Sequence, residues 1–236
     1  MRILILEVIE RVEVSMRANI ADILALEYND SHFYNKQDIF YSRISHEKFM
    51  DKVIDSLKNQ ENKNSETQQL FLHNGNNHSL PPCWELFHLM TFKQLSVFIF
   101  NIKQHNAKLI AHKFNLKSAK VFISWLHAIS DLRNICAHHS RVWNRLFGTQ
   151  PMIPQRDAGS IIFVPGEIDV KEQSIKIKPH RKLYFQIVVL WFFLKQINPH
   201  SSWVNRLKDL IQVYDIDARY MGFPDNWYDD KFWQVD

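Results

Sequence analysis

Long stretches of the chain repeat apolar residues every three or four positions, as amphipathic helices do. The helices that this pattern predicts cover residues 2–28, 46–58, 84–102, 181–197 and 202–214. Residues 108–114 continue as a short helical or turn element. The first helix is apolar around most of its circumference, which is typical of a helix buried on several sides. We therefore expect an all-α fold, a bundle of packed helices.

A further helix is predicted to begin after Ser118, whose hydroxyl is suited to accept a main-chain N–H at a helix start. The periodicity carries this helix to about Phe147, with Gly148 and Pro151 as its end signals. On an ideal helix its polar residues form one continuous stripe, made of His127, Asp131, Asn134, His138, Arg141 and Arg145. The neighbouring His139 falls within the apolar arc and is expected in the core.

Three stretches lack the helical pattern. Residues 149–179 alternate β-branched and polar residues, which predicts a small hairpin or an irregular excursion. Residues 73–82 form a connecting loop that ends in two prolines, and the histidines within it, His73 and His78, match no metal-binding spacing. The aromatic segment 222–234 is expected to dock onto the bundle. We find no repeat and no second core behind a linker, so we expect a single domain over residues 1–236.

Composition agrees with packed helices. The chain has only 5 glycines, 46% hydrophobic residues and 13% aromatic residues, a balance that suits helices better than turn-rich sheets. The two cysteines, Cys83 and Cys136, are far apart and suggest neither a disulfide framework nor a thiolate zinc site. No leader pattern is present, and the apolar run at 187–194 is too short to span a bilayer. We expect a soluble cytoplasmic protein.

Charge is unevenly distributed along the chain. The formal net charge is +4, yet residues 86–156 contain ten basic residues and a single acidic one, Asp131. The rest of the chain is net acidic. This asymmetry favours a polyanionic partner, with nucleic acid the first candidate, although a solvated basic face is the simpler alternative.

Candidate chemistry lies in the segment "SDLRNICAHHSRVWNR", residues 130–145. Asn134 and His138 are four residues apart, so they are neighbours on a helix. Arg133 lies about 140° around an ideal helix from His138. A long side chain, a helix distortion or a second copy of the chain would therefore be needed to bring both to one phosphate.

The residue types suit phosphodiester chemistry. Arg133 offers a permanently charged fork for a phosphate, the His138 imidazole can accept or give a proton, and Asn134 can orient either the histidine or a phosphate oxygen. No carboxylate cluster accompanies them in the sequence, so the chemistry is expected to need no metal. On the first helix, Glu10 and Arg17 share a stripe with core positions. They are either a buried ion pair that fixes packing or residues that support the site.

The motif resembles that of a known family. "RNICAH" has the R-x(4-6)-H form found in HEPN ribonucleases, and "LRNICAHHSRVWNR" resembles the Abi-like abortive infection family of the AbiD/AbiF type. The segments "RILILEVIERVEVSMRANI", "LPPCWELFHLMTFKQLS" and "MGFPDNWYDDKFW" are similar to other parts of that family. His88 stands where the family usually has a glutamate. Relative to the family, the chain is expected to lack an additional N-terminal helical region.

The resemblance implies a HEPN helical bundle, usually a homodimer in which two motif helices build one site. It implies RNA cleavage by attack of the ribose 2′-hydroxyl, with His138 in acid–base transfer, Arg133 stabilising phosphorane charge and Asn134 orienting. Arg141 and Arg145 would contact the RNA backbone, or alternatively favour a helix C-terminus as cations. Glu10, Arg17 and His139 would support the site.

The resemblance therefore implies a metal-independent endoribonuclease of abortive infection that needs no cofactor. Its partners would be RNA, a second copy of the chain, and an antitoxin protein or regulatory small RNA, with no membrane. The alternative is a non-catalytic module of the same fold that binds RNA or a partner protein.

Overall fold

Helices dominate the computed structural model of the protein, which describes residues 1–61, 80–154, 168–170 and 175–234. Within these ranges the helices are α1 (Arg2–Tyr28), α2 (Arg43–Glu61), α3 (Cys83–Leu89), α4 (Phe92–Asn101), α5 (Gln104–Lys113), α6 (Ala119–Ala137), α7 (Leu183–Ile197) and α8 (Trp203–Val213). The expected all-α fold class is confirmed. None of the described helices combines the length and the apolar character needed to cross a membrane.

The excursion near 149–179 contains a small hairpin, as the alternation predicted. Strands β1 (Ile168–Val170) and β2 (Ile175–Ile177) pair antiparallel, with Ile168 opposite Ile177. The remainder of the stretch "SIIFVPGEI" and the loop that carries His73 and His78 lie outside the described residues.

The chain divides into two compact units. One contains residues 1–15 and 114–236, and the other contains residues 16–113. Helix α1 contributes its first half to the former and its second half to the latter. The single-domain organisation expected from the sequence stays a prediction.

Buried side chains cover more than half of the circumference of helix α1, at about 100° per residue. The buried side chains are Ile5, Val8, Ile9, Val12, Met16, Ile20, Ala21 and Leu24. Ile3 and Val14 are 85% and 63% exposed, and because eleven residues make about three turns they lie on the same face. The expectation of a helix buried on several sides is therefore confirmed, and the narrower face that carries Ile3 and Val14 is open to solvent.

In the unit of residues 16–113, aromatic rings form the core around Phe98 of α4. Its ring centroid lies 5.0 Å from that of Phe49, 5.2 Å from that of Phe87 and 5.8 Å from that of Phe40. These rings come from four separate segments, so the cluster ties α4 to α2, to α3 and to the loop before α2.

The single helix predicted over 84–102 is two helices, because Thr91 starts a new one. The Thr91 hydroxyl accepts a hydrogen bond from the main-chain N–H of Gln94 at 3.2 Å, and the Gln94 side chain accepts from the main-chain N–H of Thr91 at 2.7 Å. This reciprocal capping box satisfies two N–H groups that a helix start leaves open. Apolar periodicity continues across the break, which is why the pattern alone did not reveal it.

In the other unit, α7 is the central helix and every residue from Leu183 to Leu194 is buried. The indole of Trp191 stacks on that of Trp203 at 6.2 Å and donates to the carbonyl of Phe232 at 2.8 Å. The C-terminal aromatic segment packs onto this core, with Phe223, Trp227, Phe232 and Trp233 buried. Its predicted docking is confirmed.

Several helices end on a residue other than glycine in the left-handed conformation. Asn29, Asn115, His139 and Asp215 have φ values of 46°, 54°, 55° and 46°. Asparagine and aspartate tolerate this region because a short polar side chain can bond locally. Of the two described glycines, Gly222 takes positive φ (86°) and Gly148 does not.

We expect Gly222→Ala to lower the free energy of unfolding by about 2 kcal/mol or more. A Cβ at this position would lie 2.9 Å from the Lys182 Cβ and 3.0 Å from the Pro179 Cα, in a left-handed backbone. Gly148→Ala is the matched control, since a Cβ there meets nothing within 4 Å. Urea unfolding followed by tryptophan fluorescence checks this, and equal stability of the two variants would contradict it.

We expect Phe98→Ala to lower the free energy of unfolding by about 3–5 kcal/mol, because it empties the centre of the aromatic cluster. Phe100 is two residues away on the same helix and is 59% exposed, whereas Phe98 is 1% exposed. Phe100→Ala should therefore change stability by less than about 1 kcal/mol. Similar losses in the two variants, measured by urea unfolding, would refute this account of the core.

Candidate functional site

Helix α6 carries the candidate motif and begins as predicted. The hydroxyl of Ser118 accepts a hydrogen bond from the main-chain N–H of Val121 at 3.4 Å, which caps the helix start. The side chains of Trp125, Leu132 and Cys136 are buried and anchor the helix in its unit.

The end of α6 differs from the prediction, since the helix stops at Ala137 and not near Phe147. The N–H of His139 donates to the carbonyl of Cys136 at 3.1 Å, and the N–H of Ser140 donates to the carbonyl of Ile135 at 3.0 Å. With His139 in the left-handed conformation, these two bonds form a Schellman motif. The end signal predicted at Gly148 was wrong, because His139 takes the position that glycine usually occupies.

The early end changes the predicted faces. Arg141 and Arg145 lie beyond the helix in an irregular segment, so they do not continue the polar stripe of α6. His139 is exposed, which corrects the expectation of a core histidine. Leu146, which also lies beyond the helix, is 60% exposed. His138 is the C-cap residue and is exposed, and its contact with a substrate stays a prediction.

The three candidate catalytic residues lie within the last turn of α6 and its cap. Arg133 and His138 are exposed and Asn134 is half-buried. The hydrogen bond between Asn134 and His138 runs between main-chain atoms, from the N–H of His138 to the carbonyl of Asn134 at 2.9 Å. The catalytic roles of these residues stay predictions.

Cys136 lies within the motif but faces the core. It is 1% exposed, and burial raises the pKa of its thiol to about 11. The thiol is therefore neutral at physiological pH, and a neutral buried thiol is a poor nucleophile. Cys136 is best explained as a packing residue that anchors the last turn.

The segment after the motif runs back along α6. Asp131 accepts a hydrogen bond from the hydroxyl of Thr149. Further along, the main-chain N–H of Met152 donates to the hydroxyl of Ser124 at 2.9 Å, and the indole of Trp125 donates to the carbonyl of Met152 at 2.8 Å. The segment therefore runs antiparallel to α6: between Thr149 and Met152 its partners in the helix change from Asp131 to Ser124 and Trp125.

Arg2 is a residue at the site that the sequence reasoning missed. Its guanidinium donates to the main-chain carbonyl of His139 at 2.8 Å. The two residues are 137 positions apart, so no local pattern connects them. A cation at this place also offsets the partial negative charge of the α6 C-terminus.

The predicted supporting residues of α1 lie in different units. Glu10 is exposed in the unit that holds the motif. Arg17 belongs to the other unit, where its guanidinium donates to the carbonyl of Phe87 in α3. That contact gives Arg17 a role in packing α3, and a role for either residue at the site stays a prediction. Within the described part of the chain, no three His, Cys, Asp or Glu side chains are grouped as metal ligands.

A sequence profile of the Abi-like protein family matches residues 1–144, more than half of the chain. The chain belongs to the Abi-like family. The matched region contains Arg133, Asn134, His138 and Arg141, and it ends just before Arg145. Membership in this family suggests a part in abortive infection defence. Neither the curated proteins nor the solved structures include a match to the chain.

In this Abi-like protein the motif is presented on an open surface. Arg133, His138 and Arg141 are exposed, because the segment that runs back along α6 bonds other residues of the helix and does not bury these three. A surface of this kind can admit a long polymer, whereas small-molecule sites are usually concave pockets that bury most of their ligand.

We expect His139→Gly to raise the free energy of unfolding of the Abi-like protein by about 1 kcal/mol, because glycine takes the left-handed conformation without strain. The main-chain carbonyl that Arg2 binds is retained in this variant. The control is His138→Gly, since His138 has a φ of −87° and gains nothing from glycine. Thermal and urea unfolding compare the two variants. A loss of stability in His139→Gly would contradict the argument that the left-handed backbone of His139 is strained.

Proposed function

We propose that this Abi-like protein is a metal-independent HEPN endoribonuclease of the AbiD/AbiF type that acts in abortive infection in the cytoplasm. The observation that carries the proposal is the placement of Arg133, Asn134 and His138 at one open helix end. An arginine fork, an imidazole that can transfer a proton and an amide make up the chemistry of a nucleotide-cleaving site without a metal.

In the proposed reaction the ribose 2′-hydroxyl attacks the adjacent phosphorus and the bond to the 5′-oxygen breaks. His138 takes part in proton transfer, accepting the 2′-hydroxyl proton or protonating the leaving 5′-oxygen. Arg133 stabilises the charge that develops on the phosphorane oxygens, and Asn134 orients the histidine or a phosphate oxygen. The products are a 2′,3′-cyclic phosphate and a 5′-hydroxyl. DNA lacks the nucleophile and would not be cut.

A homodimer is part of the proposal, and exposed apolar residues near the motif support it. Ile3 is 85% exposed and directly follows Arg2, the residue that contacts His139. Val14 on the same face of α1 and Leu146 after the motif are each at least 60% exposed. A second copy would cover this apolar surface and bring a second motif to the first.

The competing proposal is a non-catalytic module of the same family that holds RNA or a partner protein. Its support is the basic character of residues 86–156, which attracts a polyanion whether or not it is cut. Under either proposal, an antitoxin protein or a small RNA would control the protein by covering the motif.

We expect the purified protein to cleave labelled RNA in EDTA and to leave a cyclic phosphate. His138→Ala should lower the cleavage rate by about 10²–10⁴-fold, because proton transfer is lost. Arg133→Ala should lower it by a similar factor, because charge stabilisation is lost. His200→Ala is the matched control, since His200 is an exposed histidine outside the motif, and it should retain most of the activity. A single 2′-deoxy position in the RNA should block cleavage at that linkage.

Two outcomes would overturn the catalytic proposal. The first is cleavage that persists in both His138→Ala and Arg133→Ala or that passes the 2′-deoxy linkage. The second is tight RNA binding without cleavage by the protein, including protein purified after phage challenge, which would establish the binding module instead.

A further inference from the structure

A second basic segment lies against the residues that follow the motif. Residues 178–182 read "KPHRK" and contain no acidic residue. The main-chain N–H of Phe147 donates to the carbonyl of Arg181 at 3.0 Å, and the Lys182 ammonium donates to the side-chain oxygen of Asn144 at 2.7 Å. Two segments that are far apart in sequence thus form one surface, which also presents Arg141 and Arg145. We call Arg141, Arg145, Arg181 and Lys182 the basic surface.

Lys182 is fixed within this surface. The residue is only 8% exposed, and Gly222 packs closely against its Cβ. Burial and the nearby Arg141 guanidinium lower the pKa of the Lys182 ammonium. Its hydrogen-bond partner, Asn144, is a neutral amide, so no negative charge within the described part of the chain compensates this cation.

The other cations of the surface are also without a carboxylate partner among the described residues. Arg141 and Arg181 are exposed, and the Arg145 guanidinium donates to the carbonyl of Arg141 at 3.4 Å. The Arg141 and Lys182 charges are near enough to repel one another, and a bound anion would remove that repulsion. The surface is therefore arranged for an anionic ligand.

An aromatic residue lies between two of these arginines in the sequence and identifies the kind of anion. Trp143 is 41% exposed, and its ring lies 6.2 Å from the ring of Tyr220. A partly exposed indole can stack on a nucleobase whatever its identity, and cations near it can track the phosphates. Inorganic phosphate or an acidic protein would use the cations but not this ring.

We propose that the basic surface, with Trp143, binds the backbone and one base of single-stranded RNA next to the motif. This proposal rests on the proposed function and adds to it a binding surface that includes residues 181 and 182, which come from a segment outside the motif. RNA bound here would pass from the 178–182 segment over Arg141 towards His138.

The test is fluorescence anisotropy with a labelled single-stranded RNA of about 20 nucleotides, carrying 2′-O-methyl groups at every ribose so that it cannot be cut. The variants are Arg141→Gln, Arg181→Gln and Lys182→Met, each measured over a range of salt concentrations. The matched control is Lys120→Gln, which removes one exposed cation from the first turn of α6. That position is about 26 Å from the helix end at 1.5 Å per residue.

We expect Arg141→Gln and Arg181→Gln each to reduce the slope of log Kd against log salt by about 0.7, and to weaken binding roughly fourfold at physiological salt. The buried Lys182 holds the surface in place through Asn144, so Lys182→Met should weaken binding with a smaller change of slope. Trp143→Ala should weaken binding about tenfold with an unchanged salt slope, because stacking releases no counterions. Lys120→Gln should bind like the parent. Arg141 and Arg181 are exposed, so their variants keep the test valid even if Lys182→Met does not fold.

Parent protein that does not bind this RNA, or variants that bind like Lys120→Gln, would overturn the inference. The two proposals fail separately. If unmodified RNA is cut in a His138-dependent way while Arg141→Gln and Arg181→Gln bind normally, only the basic surface is refuted. If these variants bind weakly but no RNA is cut, the binding surface holds and the catalytic proposal fails.

Discussion

The Schellman motif at the end of α6 is the interaction on which the candidate site depends. Two main-chain bonds, from His139 to Cys136 and from Ser140 to Ile135, stop the helix and turn the chain. Had the helix continued to Phe147, that residue would lie about 15 Å beyond Ala137, at 1.5 Å per residue. The turn instead lets Phe147 reach Arg181 and lets Met152 bond Ser124. One left-handed residue thus places the motif at an exposed end and brings the two basic segments together.

Much of the fold could be predicted from the sequence, because a helix that packs against a core repeats its apolar residues with the period of the helix. The limits of α1 and α8 and the Ser118 cap follow from that pattern and from local chemistry. The pattern failed where apolar spacing continued across a break. At Thr91 a capping box starts a new helix, and at His139 the left-handed residue is not glycine. Periodicity cannot detect either event.

The site was predictable only in part, for a related reason. Arg133, Asn134 and His138 stand out because residue type and spacing are local properties. Arg2 and Lys182 do not, because their contacts with the motif segment span 137 and 38 positions. The prediction that His139 lies in the core was wrong because it assumed a helix that continues past Ala137. Its position in the apolar arc held only while the helix was taken to run to Phe147.

The position of the motif raises an electrostatic problem that its cations resolve. Proteins usually bind phosphate at helix N-termini, whereas the C-terminus carries a partial charge of about −0.5 that repels anions. That partial charge acts over about one turn, and Arg2 already bonds the carbonyl of His139 in this region. Arg133 and Arg141 lie in the last turn of α6 and just after its end, and each adds a positive charge that opposes the partial negative charge. Under the proposed function these cations are what would let a phosphate approach a helix C-terminus, and a site at a helix start would need fewer of them.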